Sequence, residues 1–252
     1  MKTFQKALAI GVFAAFSGYA AAAPIFTFTE YGGFTDDVAI AEYSNQVTVP
    51  AGAIPAAGPI YSKMSWNQGA TKQSSLSLNT FQGALAADTW TTISTLTHDN
   101  VLITGTANWG GPQDIWGRLI ITDNDGVAAK KLDSDEAITV SLVETPNVAP
   151  CASPNPVNTT CDDYFAFTSI GLSDILFTAN DGSEWMASFR LWDLVNAVQI
   201  DDTIYTGEAR ASSLSVQVLL TQVSSVPEPA TLGIFGLGLL GLGLAKRRKQ
   251  NA

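Results

Sequence analysis

Continuous apolar runs lie at both ends of this 252-residue chain, whereas apolar and polar positions alternate in short segments between them. The N-terminal run, residues 7–19, is too short to cross a bilayer fully as a helix. The C-terminal run, residues 230–245, has 16 residues and would span about 24 Å as a helix, slightly less than a hydrocarbon core of about 30 Å. The pattern predicts two terminal targeting segments and a middle that folds outside the membrane.

The middle of the chain contains short runs of Thr, Val, Ile and aromatic residues separated by turn-forming residues. From Leu214 to Leu220 apolar side chains fall on every second position, which predicts a strand with one buried face. We therefore predict an all-β domain at residues 23–225, a jelly-roll-like sandwich of short antiparallel strands. It would be flanked by an N-terminal signal helix and a C-terminal transmembrane helix. The candidate strands are 25–29, 75–79, 90–96, 101–106, 115–122, 137–143, 164–168, 174–178, 185–192 and 213–221.

The N-terminus has the three parts of a secretory signal. Lys2 and Lys6 precede the apolar run, and small alanine residues follow it at positions 20–23. Cleavage after Ala20 or Ala22 fits these small residues, so residues 1–22 are predicted to be a signal peptide. The chain would pass through the Sec export machinery and be cut by signal peptidase.

The C-terminal tail begins with two prolines that cannot lie inside a helix and ends with a basic cluster. Such a cluster stays on the cytoplasmic side of a membrane, which leaves the upstream domain outside. Residues 226–249 therefore predict an inner-membrane anchor with a membrane helix at 230–245. The proline segment is Val226, Pro227, Glu228 and Pro229, and the basic cluster is Lys246, Arg247, Arg248 and Lys249.

This order of parts resembles the PEP-CTERM sorting signal of Gram-negative bacteria that produce exopolysaccharide. The resemblance implies that an exosortase, an integral membrane cysteine protease, recognises Pro227, Glu228 and Pro229 and cuts nearby. The exported domain would then move from the inner membrane to the cell surface or extracellular matrix. An ordinary C-terminal membrane anchor is the alternative interpretation.

The acidic charge of the chain lies mainly in its middle. The formal net charge is −10, but six basic residues belong to the two ends, and without them and Glu228 seven basic residues face 22 acidic ones. Such a surface repels nucleic-acid phosphates and anionic lipid, which argues against a nucleic-acid partner. It could attract divalent cations or simply keep the protein soluble.

Two cysteines, Cys151 and Cys161, are the only ones in the chain, and the predicted export places them in an oxidising compartment. A disulfide is therefore expected, closing a short proline-containing loop and contributing roughly 2 to 3 kcal/mol. A thiolate metal site is the alternative, but it lacks further Cys or nearby His ligands.

Two short segments within residues 81–220 carry a motif pattern, which comprises Thr97, His98 and Asn100 in the first and Glu144, Thr145, Pro146 and Asn147 in the second. With these segments, residues 81–220 resemble the choice-of-anchor K domain, a family attached to various surface-sorting tails. The resemblance includes the paired cysteines, followed after two residues by Asp163. It departs from the family after Gly182, where Trp185, Met186 and Ala187 replace a Tyr-Thr-Leu strand. The family implies a fold and a surface destination but no biochemical activity.

His98 is the only histidine, and a catalytic triad or multi-histidine metal site needs more than its neighbour Asp99. We expect the imidazole to tie strand ends together by hydrogen bonds.

Asp123 and Asp125 suggest a calcium site, since calcium prefers closely spaced oxygen ligands on a tight turn. The EF-hand pattern fails because Ile121 and Leu132 occupy its first and last carboxylate positions. An Asp-Gly turn between two strands is the alternative explanation. Residues Asp133, Asp135 and Glu136 could complete a different calcium site. No other cofactor is predicted.

Six tryptophans are many for one domain, and exposed aromatic side chains can stack on sugar rings. Trp109 lies between glycines and looks loop-borne, whereas four others fall in apolar strands, where packing in the core is their usual role. Those four are Trp90, Trp116, Trp185 and Trp192.

The sequence lacks a phosphate-binding loop, a nucleotide fingerprint and a Gly-x-Ser-x-Gly motif. We predict a non-enzymatic, exported protein of the surface or exopolysaccharide matrix. A carbohydrate-binding module that contacts exopolysaccharide is the first alternative. A hydrolase is the second, and it would require a deep pocket holding His98 or two facing carboxylates.

Overall fold

The computed structural model describes residues 26–36, 41–49, 58–66, 73–102, 112–123, 131–151, 154–167 and 174–224, with only the backbone of 131–137. These residues belong to one compact unit, Pro24–Ser224. The predicted signal peptide and sorting tail lie outside the described residues.

Fourteen β-strands make up the regular structure of the described residues, and the all-β prediction is confirmed. In this part of the chain we find no helix with the length and apolar character needed to span a bilayer. The strands are β1 (Phe26–Thr35), β2 (Glu42–Gln46), β3 (Ile60–Trp66), β4 (Ser74–Thr80), β5 (Gln82–Leu85), β6 (Thr91–Asp99), β7 (Gln113–Asp123), β8 (Lys131–Val143), β9 (Asp163–Phe167), β10 (Ile175–Thr178), β11 (Glu184–Val195), β12 (Ala197–Ile200), β13 (Thr203–Thr206) and β14 (Ala211–Ser224).

The strands pair antiparallel and form one hydrogen-bonded sheet in the order β10-β11-β14-β6-β4-β3-β1-β7-β8-β9-β13-β12. Two short strands join beside this path, β2 on β3 and β5 on β1. Hydrogen bonds thus link every strand into one sheet. The two separate layers of a jelly-roll-like sandwich stay a prediction.

The sheet curls so strongly that strands far apart in its order touch through their inner faces. β1 and β11 are five places apart, which corresponds to about 24 Å in a flat sheet. Nevertheless, the ring centroids of Phe26 and Trp185 on these strands lie 4.9 Å apart. His98 on β6 and Phe165 on β9 are six places apart, and their centroids also lie 4.9 Å apart. The result is a half-barrel with a filled interior.

Two apolar clusters fill this interior. The first surrounds Phe26, Trp185 and Leu220, and the second surrounds Trp66 and Leu76. Alternation along the strands selects these residues, as in β14, where Val218 and Leu220 of the first cluster are buried. The second cluster lies beside the polar side chains described below.

Nine of the ten candidate strands coincide with an observed strand. The exception is 101–106, because Val101 and Leu102 lie outside any strand and residues 103–106 lie outside the described ones. Five strands had no candidate: β2, β3, β5, β12 and β13.

The prediction of core tryptophans is right for two residues and wrong for two. Trp116 and Trp185 are buried, but Trp192 is 52% exposed. Along β11 the buried positions are Trp185 and Ala187, so Trp192 falls on the opposite, outer face. Trp90 lies just before β6, half-buried rather than in the core. Trp109 lies outside the described residues.

Candidate functional site

The antiparallel register brings the ends of four strands to one place. Val143, the last residue of β8, pairs with Tyr164 on β9, so the Glu144 that follows lies beside Asp163. Asp163 also pairs with Thr206 at the end of β13, two residues before Glu208. Asn100 follows β6 and reaches the same place through its side chain.

Three carboxylates meet there. One oxygen from each of Glu144, Asp163 and Glu208 lies within 4.8 Å of the other two. The side chains are only 2%, 0% and 5% exposed, respectively. We call these three residues the carboxylate cluster.

Asp163 is the member of the cluster with hydrogen-bond donors on both oxygens. Its Oδ1 accepts a bond of 2.7 Å from the backbone N–H of Thr145, and the Thr145 hydroxyl lies 3.3 Å from the same atom. The Asn100 side chain donates to Oδ2 at 3.0 Å. These contacts fix the orientation of the Asp163 carboxylate.

Glu144 and Glu208 have far fewer partners. Trp66 donates its indole N–H to Glu144 Oε2 over 3.4 Å, a long bond. Among the described residues, Glu144 Oε1 and both oxygens of Glu208 have no partner in hydrogen-bond geometry. The amides of Asn100 and Asn147 lie close enough to Glu208 to favour its charged form without satisfying those oxygens.

Burial raises the pKa of all three acids. The pKa of Glu144 rises to about 9, because the carboxylate is removed from water and lies beside Asp163 and Glu208. The pKa of Glu208 rises to about 8, again first through burial and then through the charge of Asp163. Burial also raises the pKa of Asp163, although its donors oppose the shift. The cluster therefore holds negative charge only at a considerable electrostatic cost.

Oxygen-only donor sets of this kind suit hard divalent cations such as calcium or magnesium. The facing carboxylates named for a hydrolase are thus present, but their side chains are nearly inaccessible. Sugar hydrolysis between two carboxylates requires room for a sugar ring.

His98 is buried beside this cluster and is enclosed by aromatic rings. It stacks on Trp66 at a centroid distance of 5.5 Å and meets the edge of Phe165, while its Nδ1 lies 3.0 Å from the Thr206 hydroxyl. Burial lowers the pKa of His98 to about 3, so the imidazole is neutral. It lines a cavity of about 20 Å³, which is enough room for a single water. The contact of His98 on β6 with Thr206 on β13 agrees with the predicted role of the imidazole in tying strands together. That role stays a prediction.

The disulfide between Cys151 and Cys161 is present and closes the loop beside the cluster. The Asp162 carboxylate accepts bonds from the backbone N–H groups of Val157 and Thr159. The Thr159 hydroxyl in turn accepts a bond of 2.9 Å from the backbone of Glu208. The loop thereby supports the segment that carries Glu208.

The remaining motif residues surround the cluster without joining it. Thr97 pairs with Ser213 and Ser77 in the sheet, and Pro146 is exposed on the turn after β8. Asn147 is half-buried on the same turn. Four residues of the motif resemblance, Asn100, Glu144, Thr145 and Asp163, are thus brought together by the fold.

The calcium site predicted at Asp123 lies at the other end of β7. Its carboxylate accepts a bond of 2.9 Å from the backbone N–H of Asn180. Gln113, at the opposite end of β7, is about 30 Å from Asp123 along the strand. It pairs with Val140, close to the end of β8 that leads to Glu144, so Asp123 lies far from the carboxylate cluster. Asp125 and the predicted turn lie outside the described residues, as do the side chains of Asp133, Asp135 and Glu136.

Sequence reasoning missed Glu208 and Trp66. Glu208 follows a glycine in a segment without any recognised motif, and only the pairing of β13 with β9 places it beside Asp163. Trp66 closes a strand that was not predicted. A sequence signal for either residue is absent, because each depends on register between distant strands.

The PEP-CTERM protein-sorting motif matches residues 225–249. Curated proteins show no significant sequence similarity to the chain. The matched segment contains the proline segment and the basic cluster of the tail, as the sequence predicted. The motif indicates an exported protein that an exosortase recognises through a C-terminal, membrane-anchored sorting signal.

Proposed function

We propose that this chain is a non-enzymatic protein of the cell surface or exopolysaccharide matrix, whose β-domain is exported and whose tail is processed by an exosortase. The sorting motif carries this proposal. It begins at residue 225, directly after β14 ends at Ser224. Processing within the motif would therefore leave every observed strand intact.

The surroundings of His98 support a structural rather than a catalytic domain. A general base must reach the proton that it abstracts from a substrate. His98 is 2% exposed, covered by two aromatic rings and engaged with Thr206. The clustering of Asn100, Glu144, Thr145 and Asp163 agrees with a choice-of-anchor K-like domain, which we propose for residues 81–220.

Deleting residues 226–252 tests the sorting proposal in the native host. We expect the truncated protein to lose its processed mass and its surface or matrix location, measured by mass spectrometry and cell fractionation. A matched control carries Gln250→Ala and Asn251→Ala, which lie beyond the matched motif and should leave sorting unchanged. The proposal fails if the truncated protein reaches the same location as the wild type.

Carbohydrate binding is a second candidate, favoured by aromatic side chains on the outer face of the sheet. The guanidinium of Arg190 lies 4.1 Å from the ring centre of Trp90 and 4.2 Å from that of Trp192. Arg190 also donates a bond of 2.9 Å to Gln217 on the neighbouring strand, which orders this face. An exposed, ordered tryptophan offers a platform on which a sugar ring can stack.

Glycan arrays and pull-down with the host exopolysaccharide test this candidate. Binding should decrease at least tenfold in Trp192→Ala and persist in Val195→Ala, a second exposed apolar residue of β11. Absence of binding by the wild-type protein at high concentration would remove carbohydrate recognition but leave the sorting proposal unaffected.

A further inference from the structure

We propose that Glu144, Asp163 and Glu208 bind one divalent cation of the oxygen-preferring class, and that calcium is the ion they fit. This inference is independent of the proposed function, since it concerns only side chains within the β-domain.

The distances among the three carboxylates match a single ion. Calcium binds oxygen at about 2.3 to 2.6 Å, so two oxygens on the same ion lie at most about 5 Å apart. One oxygen of each cluster residue lies within 4.8 Å of the other two. A central point then lies at most about 2.8 Å from each oxygen, so a shift of a few tenths of an ångström in the side chains suffices to bring all three within bonding distance of one ion.

Two buried carboxylates have oxygens without a hydrogen-bond donor, which favours a bound cation as their partner. Glu208 is 5% exposed, and although it faces the Asp163 carboxyl group and the amides of Asn100 and Asn147, no described donor meets hydrogen-bond geometry at either of its oxygens. Glu144 is 2% exposed, and its Oε1 is equally without a partner there. Buried polar groups in folded proteins are nearly always satisfied, and buried charges are paired or coordinate metals.

The surrounding contacts position ligands rather than neutralise them. Thr145 and Asn100 donate to Asp163, and Trp66 donates to Glu144, so each contact leaves lone pairs available. None of the three acids forms an ion pair with a described basic side chain. These neutral donors hold the carboxylates in position for a cation but carry no positive charge themselves.

The chemistry of the donors selects the class of ion. Zinc and copper prefer imidazole and thiolate ligands. His98 is not among the converging ligand atoms, and both cysteines are in the disulfide. Carboxylate oxygens alone favour calcium, magnesium or manganese, and calcium tolerates the irregular geometry of ligands from three different segments.

The alternative occupant of the cluster is the proton. The raised pKa values of Glu144 and Glu208 show that protonation could relieve the repulsion in the absence of a metal. Protons and calcium make opposite predictions for neutral variants. If protons alone neutralise the cluster, replacing Glu144 and Glu208 by Gln leaves the effect of calcium on the Tm unchanged.

Calorimetric titration and thermal unfolding of the full chain, purified in detergent and stripped with EDTA, test the proposal. We expect one calcium per chain, and a rise in Tm of about 5 to 10 °C at a calcium concentration a hundredfold above the Kd. Magnesium and manganese, titrated separately, should bind more weakly, and zinc should give no comparable shift.

The decisive variant is Glu144→Gln with Glu208→Gln. It keeps the size of both side chains and removes two charges, so the metal-free variant should melt at or above the wild-type temperature while the calcium-dependent shift disappears. Glu42→Gln, on the exposed strand β2, should retain the full shift. Far-UV circular dichroism confirms that both variants fold.

Two outcomes would overturn the proposal. The first is a stripped wild-type protein whose Tm is unmoved by calcium, magnesium or manganese up to about 10 mM, the weak end of extracellular calcium sites being about 1 mM. The second is a calcium shift that survives in the Glu144→Gln and Glu208→Gln double variant, since the ion would then bind elsewhere.

Discussion

Glu30 on β1 is a buried carboxyl group whose charged form destabilises the fold. Its Oε1 lies over Gly117 of β7, where a Cβ would come within 3.2 Å of it, and its Oε2 is buried without a partner among the described residues. Burial raises the pKa of Glu30 to about 8. The glycine makes room for the carboxyl group but supplies no hydrogen bond to it.

We predict that Glu30→Gln reduces the pH dependence of stability. The folded state binds the Glu30 proton more tightly than the unfolded state, whose pKa is near the ordinary 4.5. Its contribution is therefore fully favourable below about pH 4.5 and is lost as the pH rises toward about 8. Urea unfolding between pH 5 and 8.5 in EDTA should show a smaller decline for Glu30→Gln than for wild type.

Glu42→Gln is the matched control for this series, since Glu42 is exposed on β2 and should follow the wild-type curve. Parallel curves for Glu30→Gln and wild type across the whole pH range would contradict the burial of a protonated Glu30.

At the scale of the element, the loop between β8 and β9 contains the disulfide and makes hydrogen bonds to the segments that carry the carboxylate cluster. The Thr145 hydroxyl donates to the carbonyl of Cys161, and Thr159 receives the backbone N–H of Glu208. We predict that Cys151→Ser with Cys161→Ser lowers the free energy of unfolding by about 2 to 3 kcal/mol. Urea denaturation measures this loss.

A reducing agent provides the control for the disulfide prediction. It should bring the wild-type protein to the stability of the double serine variant and leave that variant unchanged. If the reduced and oxidised wild-type proteins unfold at the same urea concentration, the loop is held by its hydrogen bonds and the prediction is wrong.

The strands that the sequence placed most closely have buried positions recurring along much of their length. β7 and β14 have regular apolar positions and were placed within a few residues of their true ends. β2 was missed because four of its five residues are exposed, and β12 because its four residues carry no buried position. Such strands form through pairing with a neighbour rather than through their own side-chain pattern.

The candidate site was predictable only in part for a related reason. The motif resemblance selected Asn100, Glu144 and Thr145. The local pattern gave no indication that these residues meet Glu208, which lies more than 60 residues later in the chain. That meeting depends on the register of β9 with β8 and β13. A shift of one residue in either ladder would turn Asp163 to the opposite face and dissolve the cluster.

At the scale of the whole molecule, the curl of the sheet is what joins distant strands into one core. Phe26 on β1 meets Phe177 on β10 and Trp185 on β11, with ring centroids 5.7 and 4.9 Å apart. These contacts close the half-barrel around the first apolar cluster. Trp192, on the same strand as Trp185, points outward and takes no part in the closure.

We predict that Trp185→Ala lowers the free energy of unfolding by about 3 to 5 kcal/mol, since it removes a fully buried side chain and leaves a cavity. Trp192→Ala, the matched control, should cost less than about 1 kcal/mol because half of the side chain is already exposed. Urea unfolding followed by far-UV circular dichroism measures both without relying on tryptophan fluorescence.

Combining Trp185→Ala with Phe26→Ala tests the curl itself. Residues in direct contact show coupling energies of about 0.5 to 3 kcal/mol, whereas residues more than about 10 Å apart are additive. A flat sheet would hold β1 and β11 about 24 Å apart, so it requires additivity, while the curled sheet requires coupling. Additive losses in the double variant would refute the half-barrel. With it would go the approach of β6 to β9 and β13, which brings Asn100 and His98 to Asp163 and Thr206, because that approach needs the same curvature.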